Sequence, residues 1–109
     1  NFMNIQFKKD SLELLILLII RKSDQYGYSL IQVIKKNVEI SEGTIYPLLR
    51  KMVKEGYFEC YYQPSNEGPA RKYYRITPSG IVHLNNLIEE WKTFTQAIDS
   101  FMKESDFHE

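Results

Sequence analysis

Only one cysteine, Cys60, occurs in the 109 residues, so no disulfide can form within the chain and packing must hold the fold together. Such cysteine usage fits a reducing compartment. Long apolar runs are missing as well. The longest, Leu14 to Ile20, is far below the roughly 20 residues of a membrane span, and Arg21-Lys22 follows it where a signal peptide would have small residues. A membrane partner is therefore not expected. The two histidines, His83 and His108, lie 25 positions apart with no cysteine or carboxylate in metal-ligand spacing, so no metal is expected. Neither a Ser/His/Asp arrangement, nor a phosphate-cradling glycine loop, nor paired catalytic carboxylates stand out. The sequence reads as neither an enzyme nor a cofactor carrier.

Net charge is missing too: 14 Lys+Arg balance 14 Asp+Glu. A nucleic-acid partner usually goes with a basic excess. The zero conceals a gradient, however, with 12 Lys+Arg against 8 Asp+Glu up to residue 80 and 2 against 6 beyond it. A basic body carries an acidic tail. What the chain does have is apolar content, 43%, in a length suited to one compact domain.

Ser11-Leu-Glu-Leu-Leu-Ile-Leu-Leu-Ile-Ile-Arg-Lys22 reads as a helix with Ser11 as N-cap and two cations at its negative end. Its apolar residues go all round, which predicts a central helix packed on several neighbours. A second, short helix is predicted over 26–36, where Leu30, Ile31 and Ile34 recur at helical spacing. Tyr57 to Tyr62 and Arg71 to Thr77 are rich in aromatics and read as strands, with Cys60 a small buried side chain of the first. Between them, Gln63-Pro-Ser-Asn-Glu-Gly-Pro-Ala70 reads as a mobile loop, too long for a tight hairpin. Thr77-Pro78 is a helix start, a cap followed by proline at N1.

The stretch from Ser41 to Gly56, SEGTIYPLLRKMVKEG, is a third helix with a stop at each end: Ser41 as N-cap, Glu42 in the positively polarised first turn, and Gly56 at C′. Ile45, Leu48, Leu49, Met52 and Val53 form its apolar face, opposite Gly43, Tyr46, Pro47, Arg50, Lys51 and Lys54. Pro47 admits two readings. Either the helix begins there and 41–46 is a turn, or the helix runs through it with a loosened first turn, because the proline ring crowds the Gly43 carbonyl.

Beyond Pro78, Leu84, Leu87, Trp91, Phe94, Ile98 and Phe101 fall at intervals of 3, 4, 3, 4 and 3. This is the heptad spacing of a seam against a second helix. The stripe could lie on the protein's own core. The reading preferred is a homodimer interface made by these six residues, since the first three helices already offer each other their apolar faces.

Helix, helix, helix, two strands and a long helix is the order of a winged helix-turn-helix: mainly α with a small β-wing, followed by a long C-terminal dimerisation helix. By role, residues 1–77 form the DNA-binding domain and 78–109 the dimerisation helix with its acidic tail, in one compact unit. In such a fold the helix over 41–56 enters the major groove of double-stranded DNA by its N-terminal end. Gly43 would let the backbone come close to the groove wall.

Six blocks in register carry a further identification: Leu12-Glu-Leu-Leu15, Tyr26-Gly-Tyr28, Ser41-Glu-Gly-Thr-Ile-Tyr-Pro-Leu-Leu49, Glu55-Gly56, Gly68-Pro-Ala-Arg-Lys-Tyr-Tyr-Arg-Ile-Thr77 and Gly80. Over residues 12–80 the sequence resembles the PadR family of bacterial transcriptional regulators. The resemblance implies a cytoplasmic winged-helix dimer on a near-palindromic operator, mostly repressing, and in many members released by a small aromatic or drug-like molecule or another signal. It also favours a helix running through Pro47. Carried over, Ser41, Gly43, Thr44, Tyr46 and Pro47 form the groove-facing start of the recognition helix, and Arg71 and Lys72 a basic pair at the base of the wing. Arg50 follows along the recognition helix, and Tyr28 can reach the DNA backbone or cap the core. With one C-terminal helix the chain looks like the short PadR type, in which Trp91, with Leu87, Phe94 and Ile98, is either an interface anchor or a platform for an aromatic ligand. The competing reading is a winged-helix dimer that serves as a protein-interaction or ligand-binding module without reading DNA.

Overall fold

The structure, a computed structural model, describes the backbone over residues 5–105 and side chains over 11–105. Seven elements follow one another: α1 (Ile5–Lys22), β1 (Gln25–Tyr26), α2 (Gly27–Lys35), α3 (Glu42–Lys54), β2 (Phe58–Ser65), β3 (Gly68–Ile76) and α4 (Pro78–Glu104). This is a mainly helical winged helix-turn-helix with a three-stranded antiparallel wing and a long C-terminal helix.

One core unites them. Leu12, Ile16, Leu17 and Ile20 of α1 meet Leu30, Ile31 and Ile34 of α2, and Ile45, Leu49 and Met52 of α3. Phe58, Tyr74 and Leu84 close it from β2, β3 and α4. The expectation for α1 needs two corrections. Ser11 is no cap, because residues 5–10 contain no glycine or proline and the helix continues upstream through them. Nor is α1 covered all round: Leu18 is 44% exposed.

The wing also differs from its sequence reading. The segment 63–70, expected as a loop, pairs: Gln63 with Arg71 and Ser65 with Gly68, leaving only Asn66 and Glu67 as the turn. Pro64, which has no N–H to give a ladder, falls where the register shifts between Gln63 and Ser65. In the turn the Glu67 N–H donates to Ser65 Oγ at 3.3 Å. The third strand, β1, was not foreseen, since two residues are too short to show a period. It pairs Gln25 with Tyr74 and Tyr26 with Tyr73.

The exit of α3 and the entry of α4 are built as one joint. Gly56, at φ +86°, follows the last turn of α3; its N–H donates to the Val53 carbonyl and that of Tyr57 to the Met52 carbonyl, at 3.0 and 2.9 Å. This double closure uses the left-handed conformation that glycine adopts without strain. Thr77 then caps α4, accepting from Gly80 N at 2.9 Å while its hydroxyl donates back to the Gly56 carbonyl at 2.6 Å. Its own N–H donates to the Tyr57 carbonyl at 3.0 Å. Gly80 lies flat on that carbonyl, and a Cβ there would stand 2.2 Å from the oxygen.

Gly80→Ala should therefore cost about 2 kcal/mol or more, as over-packing against backbone does. Urea unfolding that showed a loss below a few tenths of a kcal/mol would mean that the joint is slack.

Candidate nucleic-acid interface

α3 runs through Pro47, so the alternative start at Pro47 is excluded. Ser41 stands at the N-cap with extended backbone (φ −94°, ψ 155°), and Glu42 occupies the first turn. Its side chain does not cap, however; Ser41 Oγ faces Thr44 Oγ1 at 3.3 Å. The Ser41 carbonyl accepts from both Thr44 N (3.0 Å) and Ile45 N (3.3 Å), which tightens the first turn. One turn on, Pro47 has no N–H for the Gly43 carbonyl to accept. The opening of α3 thus presents the Ser41 and Thr44 hydroxyls on an exposed surface, where the first N–H groups of a helix are without helical partners.

Among the described residues nothing calls for glycine at 43. Its φ is not positive, and an added Cβ would meet only Ser41 Oγ, at 3.7 Å. A Cβ at Gly27 would make ordinary contact with Tyr74 at 3.4 Å and Tyr46 at 3.5 Å. The placement of Tyr46 on the outer face of α3 is corrected: its ring lies half-buried beside Gly27. Burial first, then the Glu42 charge, holds its phenol above the usual tyrosine range, so it stays a neutral donor.

Arg71 and Lys72, expected to act as a pair, lie on opposite faces of the sheet, because neighbours in a strand alternate. Lys72 shares its face with the buried Tyr74, its Nζ 5.6 Å from that ring, and pairs across the strands with Tyr62, which is 64% exposed. Arg50 of α3 and Tyr46 are close enough to act on the Tyr74 phenol, which is raised chiefly by burial. Tyr46, Arg50, Tyr62 and Lys72 therefore form one patch beside the start of α3. Sequence reasoning missed Tyr62, although the period of two that pairs it with Lys72 was readable. Cys60 is half-buried on the same face, and burial pushes its thiol up, away from reactivity.

The other face of the wing is compensated within itself. Arg71 lies 5.0 Å over the Tyr26 ring and 3.3 Å from Glu67; Arg75 lies over Tyr61 and 2.9 Å from Glu59. Tyr61 stacks on Tyr73 and donates to Asp24 at 2.5 Å. Tyr28 is exposed and joins this side through Tyr26, at 6.3 Å between ring centroids.

The α4 stripe divides in two. Leu84 is buried in the protomer's own core and is not available to a partner, which corrects its assignment to an interface, and Leu87 packs half-buried beside it. Beyond them α4 leaves the body, and Trp91, Phe94, Ile98 and Phe101 are 43, 61, 41 and 70% exposed. Met102 and, on α1, Leu18 extend the exposed apolar surface. The Asp106-to-Glu109 end of the acidic tail lies outside the described residues. Among the described residues no helix is long and apolar enough to cross a membrane, and no group of three His, Cys, Asp or Glu is placed to hold a metal.

Known proteins share this arrangement. The profile of the Transcriptional regulator PadR-like family matches residues 16–86. A Streptococcus mutans protein of known structure is 42% identical, with 87% of this chain and 89% of that one covered at a TM-score of 0.80. A PadR-like transcriptional regulator from Bacillus cereus is 37% identical over 89% of this chain and 96% of its own, at a TM-score of 0.78. An uncharacterised protein of Lysinibacillus sphaericus is 36% identical over 96 residues, 84% of this chain and 88% of its own length.

Since Pro47 removes a helical hydrogen bond, Pro47→Ala should raise stability by about 1 to 3 kcal/mol in chemical denaturation. It should not tighten DNA binding. Unchanged stability would mean that α3 has already adapted to the proline.

Proposed function

Because the chain belongs to the PadR-like family of transcriptional regulators, DNA-binding proteins and not enzymes, we propose that it acts as a homodimeric repressor on a near-palindromic operator. The observation that carries this reading is a chain with two unsatisfied surfaces on one rigid frame. The exposed opening of α3, with Ser41, Gly43, Thr44 and Pro47, has a glycine that the protein's own packing does not require. The apolar stripe of α4 from Trp91 to Phe101 is left largely exposed among the described residues. A second copy would cover the stripe and set two α3 helices side by side, as operator half-sites require. Residues 1–77 supply the reading surface and 78–109 the coupling, while the first turns of α4 also serve the core.

Arg50 and Lys72 would hold phosphates beside the inserted α3, and Tyr62 would add its hydroxyl. Arg71 and Tyr28, on the compensated face, would contribute less. Trp91, with Leu87, Phe94 and Ile98, would anchor the dimer and offer a flat apolar wall to a small aromatic effector whose binding shifts the two protomers. Acting on DNA, the protein would work in the cytoplasm. The compensated wing cations and zero net charge favour the second reading, an interaction or ligand-binding dimer that does not read DNA.

Fluorescence anisotropy with DNA from immediately upstream of its own gene, against random competitor and across a salt series, separates the two. Saturable, competitor-resistant binding is expected. Lys72→Glu should weaken it and lower the salt slope by about one per protomer, while Arg71→Glu should leave the slope nearly unchanged. Equal losses from both would contradict the division of the wing. Trp91→Ala should raise the dimer dissociation constant about 30-fold or more in sedimentation equilibrium, and an unchanged constant would remove Trp91 from the interface.

A further inference from the structure

Three helices meet at one carboxylate, that of the Glu in the Leu12-to-Leu15 block, to which the block itself gives no role. Glu13 of α1 places Oε1 2.7 Å from His83 Nε2 on α4 and Oε2 3.5 Å from Lys51 Nζ on α3. The Glu13 and His83 side chains are 18 and 25% exposed, and that of Lys51 56%. Tyr57 stacks on the imidazole, ring centroids 4.0 Å apart and planes within 6°. Glu55 reaches Lys51 from its other side at 3.6 Å. The ring of His83 is thus faced by Glu13 from α1 and Tyr57 from the exit of α3, with Lys51 and Glu55 of the α3 segment behind the shared carboxylate. Glu13 holds the Lys51 ammonium above the usual lysine range, outweighing a cost of burial, and Glu55 adds to it.

We propose that His83 and Lys51 compete for Glu13, so that protonation of His83 releases Lys51 of the recognition helix from this α1 carboxylate to a DNA phosphate. The inference rests on the DNA-binding reading above. While the imidazole is neutral, its Nε2–H donates to Glu13, and the carboxylate's charge is left to Lys51. An imidazolium at the same place is a nearer and better sheltered cation, and a charge-assisted bond is roughly twice as strong as a neutral one. A carboxylate so neutralised pulls less on Lys51. The lysine then keeps only its surface pair with Glu55, and such pairs are weak. Histidine is the side chain that serves most often as a pH switch, which makes pH the variable of the test. Glu13 is accordingly a positioning residue: it acts on DNA through Lys51.

Each lysine that gains a phosphate steepens the dependence of log affinity on log salt by about 0.9. The test is that slope, measured by anisotropy at pH 8 and pH 6 on the duplex from upstream of the protein's own gene. In the wild type it should steepen at pH 6 by about 0.9 per protomer. His83→Gln should stay shallow at both pH values, Glu13→Gln should be steep at both, and Lys51→Met shallow at both. Lys51 is exposed enough for its variant to fold whatever the other two do. A wild-type slope that ignores pH overturns the inference, as does a pH-dependent slope that persists in Lys51→Met. No saturable binding by the wild type at either pH would instead sink the DNA reading, and the inference with it.

Discussion

The contact on which the structure turns is the seating of α4 on the last turn of α3. Gly80 touches the Tyr57 carbonyl so closely that no side chain fits, and Thr77 binds the Gly56 carbonyl with the hydroxyl that also caps α4. Gly56 makes the turn possible by closing α3 in the left-handed conformation. The helix that would enter DNA and the helix that carries the exposed apolar stripe thus share a joint in which backbone meets backbone and the Thr77 hydroxyl ties the two ends. A change in how two α4 helices pack would move both α3 helices, which is the geometry that a ligand-released regulator needs.

Much of this was legible because it is local. Ser41, Glu42 and Gly56 mark the bounds of α3, Thr77-Pro78 marks the start of α4, and the six blocks around them point to the family. What escaped is non-local or a matter of parity. β1 is two residues long and exists only because β3 offers it a ladder. The hairpin over 63–70 was obscured by two prolines and a glycine, yet Pro64 sits at an irregularity where no ladder N–H is needed. Leu84 belongs to the heptad by spacing but to the core by position, since α4 leaves the body only after it. Tyr46 turns inward to lie beside Gly27, nineteen positions earlier, a contact that the pattern of α3 alone does not show. The split between Arg71 and Lys72 could have been read from strand alternation alone. The meeting of Glu13 with His83, 70 positions away, could not.

Electrostatics divides the surface more finely than the net charge does. On the wing's far face each arginine has a carboxylate and an aromatic ring, so its field is spent locally. On the near face Arg50 and Lys72 stand beside tyrosines whose phenols remain neutral. A chain of zero net charge can therefore still offer a cationic patch where α3 begins, and a dimer offers two.

The central claim is that α4 pairing holds two α3 helices at one fixed spacing. Pulsed electron resonance between nitroxides attached at position 54 of each protomer, in a Cys60→Ser background, measures it directly. The account predicts a single narrow distribution near one helical turn of DNA, about 34 Å, or a multiple of it. Loss of the dipolar signal, as from monomers, or a broad distribution would contradict it.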